Sequence, residues 1–455
     1  MATNGALDDS LYQDVLAQLP FLNGYSQASA GFQVAPDVAR DDIVSSIRAA
    51  IDEIVRQVPL VGEQVVHEPG PPGTTGRYFA APWPDDGERN EIVRVKDCSS
   101  LLPSFTQILR AGASLSVLPA EHIVPFPGLP SPHGLTERVP VFALQVNFIR
   151  GGVILTFHTH HNLIDAAGTI QIGRMLAALL KGHTLDPAHI AQANRDRTRI
   201  VPLIPPGEPV RDYSYLRRPE GWAPSMPKSP FKWSEFRISL QGLATLRKNT
   251  MEGTKLLFSE DDALTAWIWK RLSTVRVARG IPATRVSKWA RAVDGRAAMR
   301  IPAGYLGHMI HHAVAQMTLQ ELIAAPLSKI AAQLRGALQE VNNEHALRSY
   351  ATFLANTPDK STIVYGSPRN PDTDQGCSSN LSNEGGGEDA ESAHFGPLLG
   401  PRRFGRRPSS APIPGCLYFH PPEGNAVMIM VCFPEDDLNA LKRDGEWRRF
   451  MRAVV

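Results

Sequence analysis

The sequence lacks the features that would direct it to a membrane, a nucleic acid or an oxidising compartment. No run approaches the roughly 20 apolar residues of a transmembrane helix, and the N-terminus has no basic start followed by an apolar stretch, so we expect no signal peptide. The formal net charge is +2, which gives no electrostatic reason to expect nucleic acid or membrane as a partner. The four cysteines lack CxxC and zinc-finger spacing, as is typical of reduced thiols. We therefore expect a soluble, cytoplasmic protein.

Motifs of two enzyme classes are also missing. No G-x-S-x-G sequence occurs, which disfavours a serine-hydrolase triad. His158 and His160 form an H-x-H pair that could bind a metal. However, no second group of residues has ligand spacing, and His311 and His312 are the only other adjacent histidines apart from His160-His161. We therefore expect no metal site.

The length and composition of the chain indicate two domains. The 455 residues are 43% hydrophobic and 20% charged, and such a length exceeds what one hydrophobic core usually serves. Eight prolines lie between residues 200 and 232, a composition typical of a crossover linker. We predict an N-terminal domain over residues 1–200, a linker over 201–231 and a C-terminal domain over 232–455. Strands and helices alternate on both sides of the linker, which predicts α/β structure in each half.

Hydrophobic spacing and capping residues predict the main elements. Helices are expected over residues 42–58, 259–272, 319–341 with a break at Pro326, and 437–449. Ser259 is a predicted N-cap, and Thr318 with Glu321 forms a capping-box pattern. Strands are expected over residues 232–240, 289–293 and 427–433. The polar, glycine-rich residues 375–394 are predicted to form a mobile loop.

The stretch over residues 153–168, VILTFHTHHNLIDAAG, combines structural and reactive features. Two apolar runs, over residues 141–149 and 153–157, flank a Gly-Gly pair and predict a β-hairpin. Three histidines follow at the end of the second run: His158, His160 and His161. Asp165 then begins an apolar helical pattern, where an aspartate can cap free N–H groups. The predicted layout is a strand, a histidine-rich turn and a capped helix.

Spacing alone leaves several roles open for these histidines. His158 and His160 alternate along the strand, which favours structural positions over a metal pair. His161 lies where the strand ends, so it could act as a general base on a bound alcohol or amine. That role needs a neutral imidazole near its ordinary pKa of ~6.5, within hydrogen-bond reach of the acceptor. A buried structural histidine remains an equal alternative for His161 on this basis.

The order of several motifs adds a resemblance to a known family. His161-Asn162-Leu163-Ile164-Asp165 resembles the HxxxD motif of BAHD-type acyl-CoA-dependent acyltransferases. Further pieces follow in that family's order: residues 59–62 resemble its P-L-x-G, residues 293–308 its V-D-x-R … P-x-G-Y-F-G-N, residues 394–400 its DFG motif and residues 438–450 its closing L-x-x-D-x-E-W-x-x-F. The similarity spans nearly the whole chain. It is greatest to the fungal branch, which includes trichothecene-type acetyltransferases.

The resemblance implies both a fold and a reaction. It implies two chloramphenicol-acetyltransferase-like domains, each a mixed β-sheet flanked by helices, with a channel between them. Acyl-CoA, expected to be acetyl-CoA, would enter from one face, and a hydroxylated fungal secondary metabolite from the other. His161 would deprotonate the acceptor, which attacks the thioester directly without an acyl-enzyme. Asp165 would pair with Arg296 and shape the turn, and we expect a monomer.

The chemistry of the reaction suggests further site residues. A tetrahedral oxyanion needs hydrogen-bond donors. The candidates for contact with the oxyanion or the acceptor are Ser378, Asn380 and His308. CoA carries phosphates, which arginines bind well. The candidates for binding CoA are Arg291, Arg402 and Arg403, with solvated surface charge as the alternative for each.

Three positions depart from the family pattern. His394 replaces the aspartate of the DFG motif, His308 replaces the asparagine of G-N, and Asn380 stands where many plant members have tryptophan. His394 removes an anionic partner at the domain interface. These departures keep a second hypothesis open, in which the same scaffold catalyses cyclisation or isomerisation of a bound metabolite. A binding protein without catalysis is a third hypothesis, which leaves the retained His161-Asp165-Arg296 set unexplained.

Overall fold

The computed structural model describes residues 14–84, 91–129, 138–367, 369–381, 394–408 and 411–454. The strands are β1 (Tyr25–Gln33), β2 (Gln64–Glu68), β3 (Arg77–Ala81), β4 (Val93–Asp97), β5 (Val139–Pro140), β6 (Phe142–Ile149), β7 (Gly152–His160), β8 (Phe231–Ser239), β9 (Val286–Asp294), β10 (Ile310–Thr318), β11 (Gln375–Ser379), β12 (Arg402–Arg406), β13 (Cys416–Phe419), β14 (Ala426–Pro434) and β15 (Met451–Val454). The helices are α1 (Arg40–Gln57), α2 (Phe105–Arg110), α3 (Ala120–Ile123), α4 (Ala166–Leu180), α5 (Pro187–Ala193), α6 (Leu240–Met251), α7 (Glu260–Ala278), α8 (Leu319–Ala324), α9 (Leu327–Val341), α10 (Glu344–Ala355), α11 (Gly396–Leu399), α12 (Glu435–Arg443) and α13 (Gly445–Phe450).

The strands form two large mixed sheets and one small one. The first large sheet has five strands in the order β12-β1-β7-β6-β4, and the second has seven in the order β10-β9-β11-β13-β14-β8-β15. β4 pairs parallel with β6, and β11 pairs parallel with both β9 and β13. The other pairings within these sheets are antiparallel. The small sheet has the order β3-β2-β5.

Each large sheet has its own hydrophobic core with helices. Ile47 and Ile51 of α1 share one core with Leu176 of α4 and Phe157 of β7. Residues of α6, α7, α9 and α12 share a second core with strands of the second sheet. The predicted α/β architecture of two helix-flanked mixed sheets is therefore confirmed. Among the described residues, no helix is both long enough and apolar enough to cross a membrane.

One strand from the second half of the chain completes the first sheet. β12 pairs antiparallel with β1, with Ser29 opposite Arg406. Just before this strand, Phe395 packs against Phe32 with ring centroids 4.8 Å apart. The stretch from residue 394 to residue 406 therefore lies on the first sheet, although our division assigned it to the C-terminal domain. That division otherwise stays a prediction.

Most of the predicted elements form where the sequence indicated. β6 and β7 are the predicted hairpin, and α1, α7, α8 and α9 are the predicted helices. Ser259 caps α7, and Thr318 forms the capping box of α8 with Glu321. Pro326 separates α8 from α9. These signals are local, since each cap acts within three residues of its helix.

Two sequence predictions were wrong. Residues 375–394 do not begin as a loop, because β11 is a buried strand between β9 and β13. Pairing on both sides satisfies its backbone, so this short polar segment needs no long apolar run to form a strand. Residues 382–393 lie outside the described residues. The helix predicted over residues 437–449 is two helices, because Asp444 ends α12 and caps α13 through the N–H of Trp447 at 2.7 Å.

We predict that Gly396→Ala destabilises the protein. Gly396 has φ +76°, and a Cβ there would overlap the carbonyl oxygen of Leu180. Gly182→Ala is the matched control, because Gly182 has φ +79° and nothing within 4 Å of the added Cβ. Overpacking of this kind costs about 1–3 kcal/mol, so Gly396→Ala should lose about that much more stability than Gly182→Ala in denaturant unfolding. Equal losses would show that the contact at Leu180 does not matter.

Candidate active site

His161 lies at the point where β7 leaves the first sheet. Its N–H donates to the carbonyl of Gly24 at 2.9 Å. The N–H groups of Leu163 and Ile164 both donate to the carbonyl of His160 at 2.9 Å, which closes the turn that follows. His161 is partly exposed, and its side chain lines a cavity between the two large sheets. The turn therefore holds the imidazole rigidly at a surface that a small molecule can reach.

The cavity exists because the second sheet presents small side chains to it. Ala290 and Ala292 lie on β9, and Gly376, which pairs with Ala290, lies next to them on β11. Aromatic and aliphatic side chains of other segments complete the walls, including Phe21, Leu22, Ile310 and Tyr365. An apolar recess with a few polar groups is the usual form of a small-molecule site.

A second cavity continues from the first and forms a channel between the two halves. The two cavities share five lining residues: Ser26, Ala166, Ser378, Arg407 and Tyr418. From there the second cavity is lined by β1, β12 and α4 on the side of the first sheet and by β13 of the second sheet. Arg174, Arg402 and His420 are among its lining residues. The predicted channel is therefore present, and His161 lies on its wall.

Asp165 and Arg296 form a bidentate ion pair behind the turn. The Asp165 oxygens accept hydrogen bonds from both terminal nitrogens of Arg296 at 2.9 Å. They also accept from the N–H of Gly168 in α4 and the N–H of Met309, each at 3.0 Å. Burial would raise the pKa of Asp165, but the charge and hydrogen bonds of Arg296 hold that pKa below its ordinary value. The carboxylate is thus an ionised link between the two halves.

His308 stands directly against His161. The Nδ1 atoms of the two rings are 3.2 Å apart, and His308 Nδ1 also lies 3.1 Å from the carbonyl oxygen of His161. His308 is only 1% exposed and is not among the described residues that line the cavity. Since Nδ1 of His161 is engaged by His308, Nε2 is the ring nitrogen left for another partner.

The surroundings keep both imidazoles neutral. Burial, with the neighbouring His308 and Arg407, lowers the pKa of His161 from 6.5 to about 3. Burial also lowers the pKa of His308. At physiological pH, His161 is therefore in the form that can accept a proton. The low pKa also makes the His161 imidazole a weak base.

Of the other histidines considered in the sequence analysis, His158, His160 and His311 lie outside the cavity, and His312 lines it. His158 and His160 are fully buried beside Tyr25, with ring centroids 6.1 and 5.6 Å away. His311 points into the interior, where its Nε2 lies 3.1 Å from the carbonyl of Val341, whereas His312 lines the cavity. Within the described ranges, no group of three or more side chains of the metal-binding types comes together.

The candidate oxyanion donors differ in their positions. Ser378 lies on β11 opposite Tyr418 of β13, where the two cavities meet. Asn380 lines only the second cavity, and His308 lies behind His161. The Ser378 hydroxyl is therefore the candidate that shares a cavity wall with His161.

Arg291 lies in a different place from the one we expected for a CoA-binding residue. Its guanidinium is ion-paired with Asp262 at 2.9 Å and with Asp261. Because two carboxylates already neutralise it, Arg291 anchors the start of α7 and is not available to phosphates. Arg402 lines the second cavity. Arg403 is exposed, outside that cavity, and donates to Gln33 at 3.3 Å.

Sequence reasoning missed several residues that line the first cavity. Arg369 lies in the segment before β11, and Tyr418 lies on β13. The misassignment of β11 as a loop hid both, because its parallel register is what brings these segments beside Gly376. Nothing in the local pattern around Arg369 distinguishes it from a surface arginine.

The chain matches two family descriptions. The trichothecene 3-O-acetyltransferase-like N-terminal domain matches residues 25–179, and the Transferase family matches residues 127–383. The second match covers more than half of the chain.

Individual proteins are similar over nearly the full length. The chain is 37% identical to the O-acetyltransferase SAT5 of Stachybotrys chartarum, over 97% of this chain and 95% of that protein. It is 36% identical to the O-acyltransferase pigD of Monascus ruber, over 98% and 99%. The structure of TRI101 from F. graminearum, complexed with coenzyme A and deoxynivalenol, matches with a TM-score of 0.88 at 27% identity, over 97% of this chain and 99% of that one.

We predict that Asp165→Ala is strongly destabilising, because it leaves the buried Arg296 guanidinium without its main counter-charge. Breaking one partner of a buried pair costs about 3–5 kcal/mol, which denaturant unfolding would detect. Asp97→Ala is the control, since its 2.8 Å pair with Arg40 is largely exposed, and little change is expected there. If the two substitutions have similar effects, the Asp165–Arg296 pair does not hold the halves together.

A second prediction concerns the protonation of His161. Because burial disfavours the imidazolium, the ring should stay neutral as the pH falls from about 8 to about 5 and gain a proton only near the lowered pKa of about 3. Histidine-selective labelling and NMR titration would show this, with the His161 signal assigned from the spectrum of His161→Gln. A titration midpoint near the model-peptide value of ~6.5 would contradict it.

Proposed function

This chain belongs to the Transferase family, and we propose that it transfers an acyl group from acyl-CoA to a hydroxyl group of a fungal secondary metabolite, with His161 as general base. The observation that carries the proposal is the position of His161: a neutral imidazole on the wall of a channel between two domains. The proposed acyl group is acetyl, because SAT5 and several other relatives are named O-acetyltransferases.

The two cavities suit different substrates. TRI101 from F. graminearum binds coenzyme A and deoxynivalenol in its crystal structure. In this chain, the second cavity is lined by Arg174, Arg402 and Arg407, which suits the phosphates and polar arm of CoA. The first cavity has mainly apolar walls around His161, which suits a hydrophobic acceptor. We therefore assign the second cavity to acyl-CoA and the first to the acceptor.

The reaction follows from these positions. The acceptor hydroxyl donates a hydrogen bond to Nε2 of His161, which removes the proton as the oxygen attacks the thioester carbonyl carbon. The resulting oxyanion is stabilised by a donor at the junction of the cavities, for which we propose the Ser378 hydroxyl. The carbon–sulfur bond then breaks, and the CoA thiolate takes the proton from the His161 imidazolium. The products are the ester and free CoA.

Direct attack is favoured over an acyl-enzyme because the side chains that could form one are unsuitable. The Cys377 thiol lies 3.2 Å from Nε1 of Trp289, and burial raises its pKa to about 12. Burial also raises the pKa of Cys416, so neither sulfur is a thiolate at neutral pH. In the described part of the chain, no serine, threonine or cysteine side chain hydrogen-bonds to the His161 ring.

We further propose that the enzyme is a cytoplasmic monomer. All four cysteines are free, which suits a reducing compartment. Cyclisation or isomerisation on the same scaffold is not favoured, because the relatives that match along the whole chain are named acyl- and acetyltransferases.

We expect His161→Ala to lower kcat by about 10²- to 10⁴-fold, because it removes the general base. The assay follows release of free CoA thiol from acetyl-CoA in the presence of a panel of hydroxylated fungal metabolites, with circular dichroism to check folding. His183→Ala is the matched control, since His183 is exposed and outside the channel. Undiminished turnover in a folded His161→Ala protein would remove His161 from the mechanism.

A further inference from the structure

The acceptor cavity contains two guanidinium groups and no carboxylate among its described lining residues. Arg369 and Arg407 both line it, together with His161 and His312. The charge of Arg369 adds to burial in holding the pKa of His312 well below its ordinary value, so this second histidine is neutral. The net charge of the described cavity wall is therefore positive. A partly desolvated cation without a counter-charge is unfavourable.

Elsewhere, the protein pairs its buried guanidinium groups with carboxylates. Four such pairs lie between 2.7 and 2.9 Å: Arg197–Asp14, Arg276–Asp437, Arg296–Asp165 and Arg406–Glu423. Arg407 stacks on the Tyr418 ring, with its guanidinium carbon 4.0 Å from the ring centroid. Arg369 is half-buried on the cavity wall and has neither an ion pair nor a side-chain hydrogen bond with a described residue. The contrast suggests that its counter-charge comes from a bound molecule.

Gly376 gives the Arg369 guanidinium its place on the cavity wall. A Cβ at position 376 would lie 2.6 Å from Arg369 Nη1 and 3.2 Å from the carbonyl oxygen of Ala290. Any larger residue would therefore displace the guanidinium. With Gly376 there, the guanidinium lies against β11, in the same cavity as His161.

We propose that Arg369 binds a carboxylate of the acceptor. A guanidinium can hold a carboxylate through two parallel hydrogen bonds, which orients the molecule as well as attracting it. Arg407 lines both cavities, whereas Arg369 lines only the first, so the anion belongs to the acceptor and not to CoA. The inference rests on the proposed function and deepens it: the acceptor is a hydroxylated carboxylic acid whose hydroxyl group reaches His161.

Two small probes test this without requiring turnover. The wild-type protein, saturated with CoA, is titrated calorimetrically with 4-(hydroxymethyl)benzoate and with its neutral amide. We expect the carboxylate to bind more tightly than the amide, and Arg369→Met to weaken carboxylate binding by about tenfold or more while leaving the amide unchanged. The affinity for CoA, measured separately, should not change in Arg369→Met.

Further variants separate a specific contact from general charge. Arg369→Lys should recover part of the carboxylate affinity, and Gly376→Ala should weaken it although the arginine is retained. Arg443→Met removes an exposed arginine outside the cavity and should have no effect. Failure of wild type to prefer the carboxylate, equal affinities in wild type and Arg369→Met, or a loss of CoA affinity in that variant would overturn the proposal. Because binding is measured, the result stands apart from whether acyl transfer occurs.

Discussion

The buried ion pair between Asp165 and Arg296 is the interaction on which the rest of the site depends. Its carboxylate caps α4, and two hydrogen bonds from Arg296 and one from the N–H of Met309 attach it to the segment after β9. One side chain therefore fixes the turn that carries His161 and joins the first half of the molecule to the second. A buried charge without its partner is costly, so the pair tolerates little displacement. Together with the pairing of β12 with β1, the ion pair therefore helps to fix the geometry between the two sheets that form the channel.

Burial sets the chemistry of His161 as much as its position does. Its burial in the channel wall lowers its pKa and keeps the ring neutral at physiological pH, so His161 is a deprotonated but intrinsically weak base. His308 engages Nδ1, which leaves Nε2 for the substrate. Such an arrangement suits a reaction in which proton removal accompanies attack on a reactive thioester, since the enzyme then relies on bringing two bound substrates together. The small residues Ala290 and Gly376 provide space in the first cavity, which we assign to the acceptor.

The parts of this site that could be predicted from the sequence are the local ones. The hairpin, the turn and the Asp165 cap each depend on a few neighbouring residues, and their spacing was sufficient. Arg296 lies 131 positions from Asp165, and only the resemblance to known acyltransferases connected the two. Arg291 was misassigned because its partners, Asp261 and Asp262, lie on a helix whose approach to β9 has no sequence signature. β11 was missed for a similar reason: it is a strand because of its neighbours, and its own composition favours a loop. Because β11 was missed, the position of Arg369 beside Gly376 could not be predicted either.

The central claim is that an acceptor hydroxyl and an acyl thioester meet in one channel, where His161 moves the proton directly between them. Initial velocities measured over a grid of acetyl-CoA and acceptor concentrations test this most directly. Intersecting double-reciprocal lines, which indicate a ternary complex, are the predicted result. Parallel lines, the signature of a covalent acyl-enzyme formed before the acceptor binds, would contradict the account.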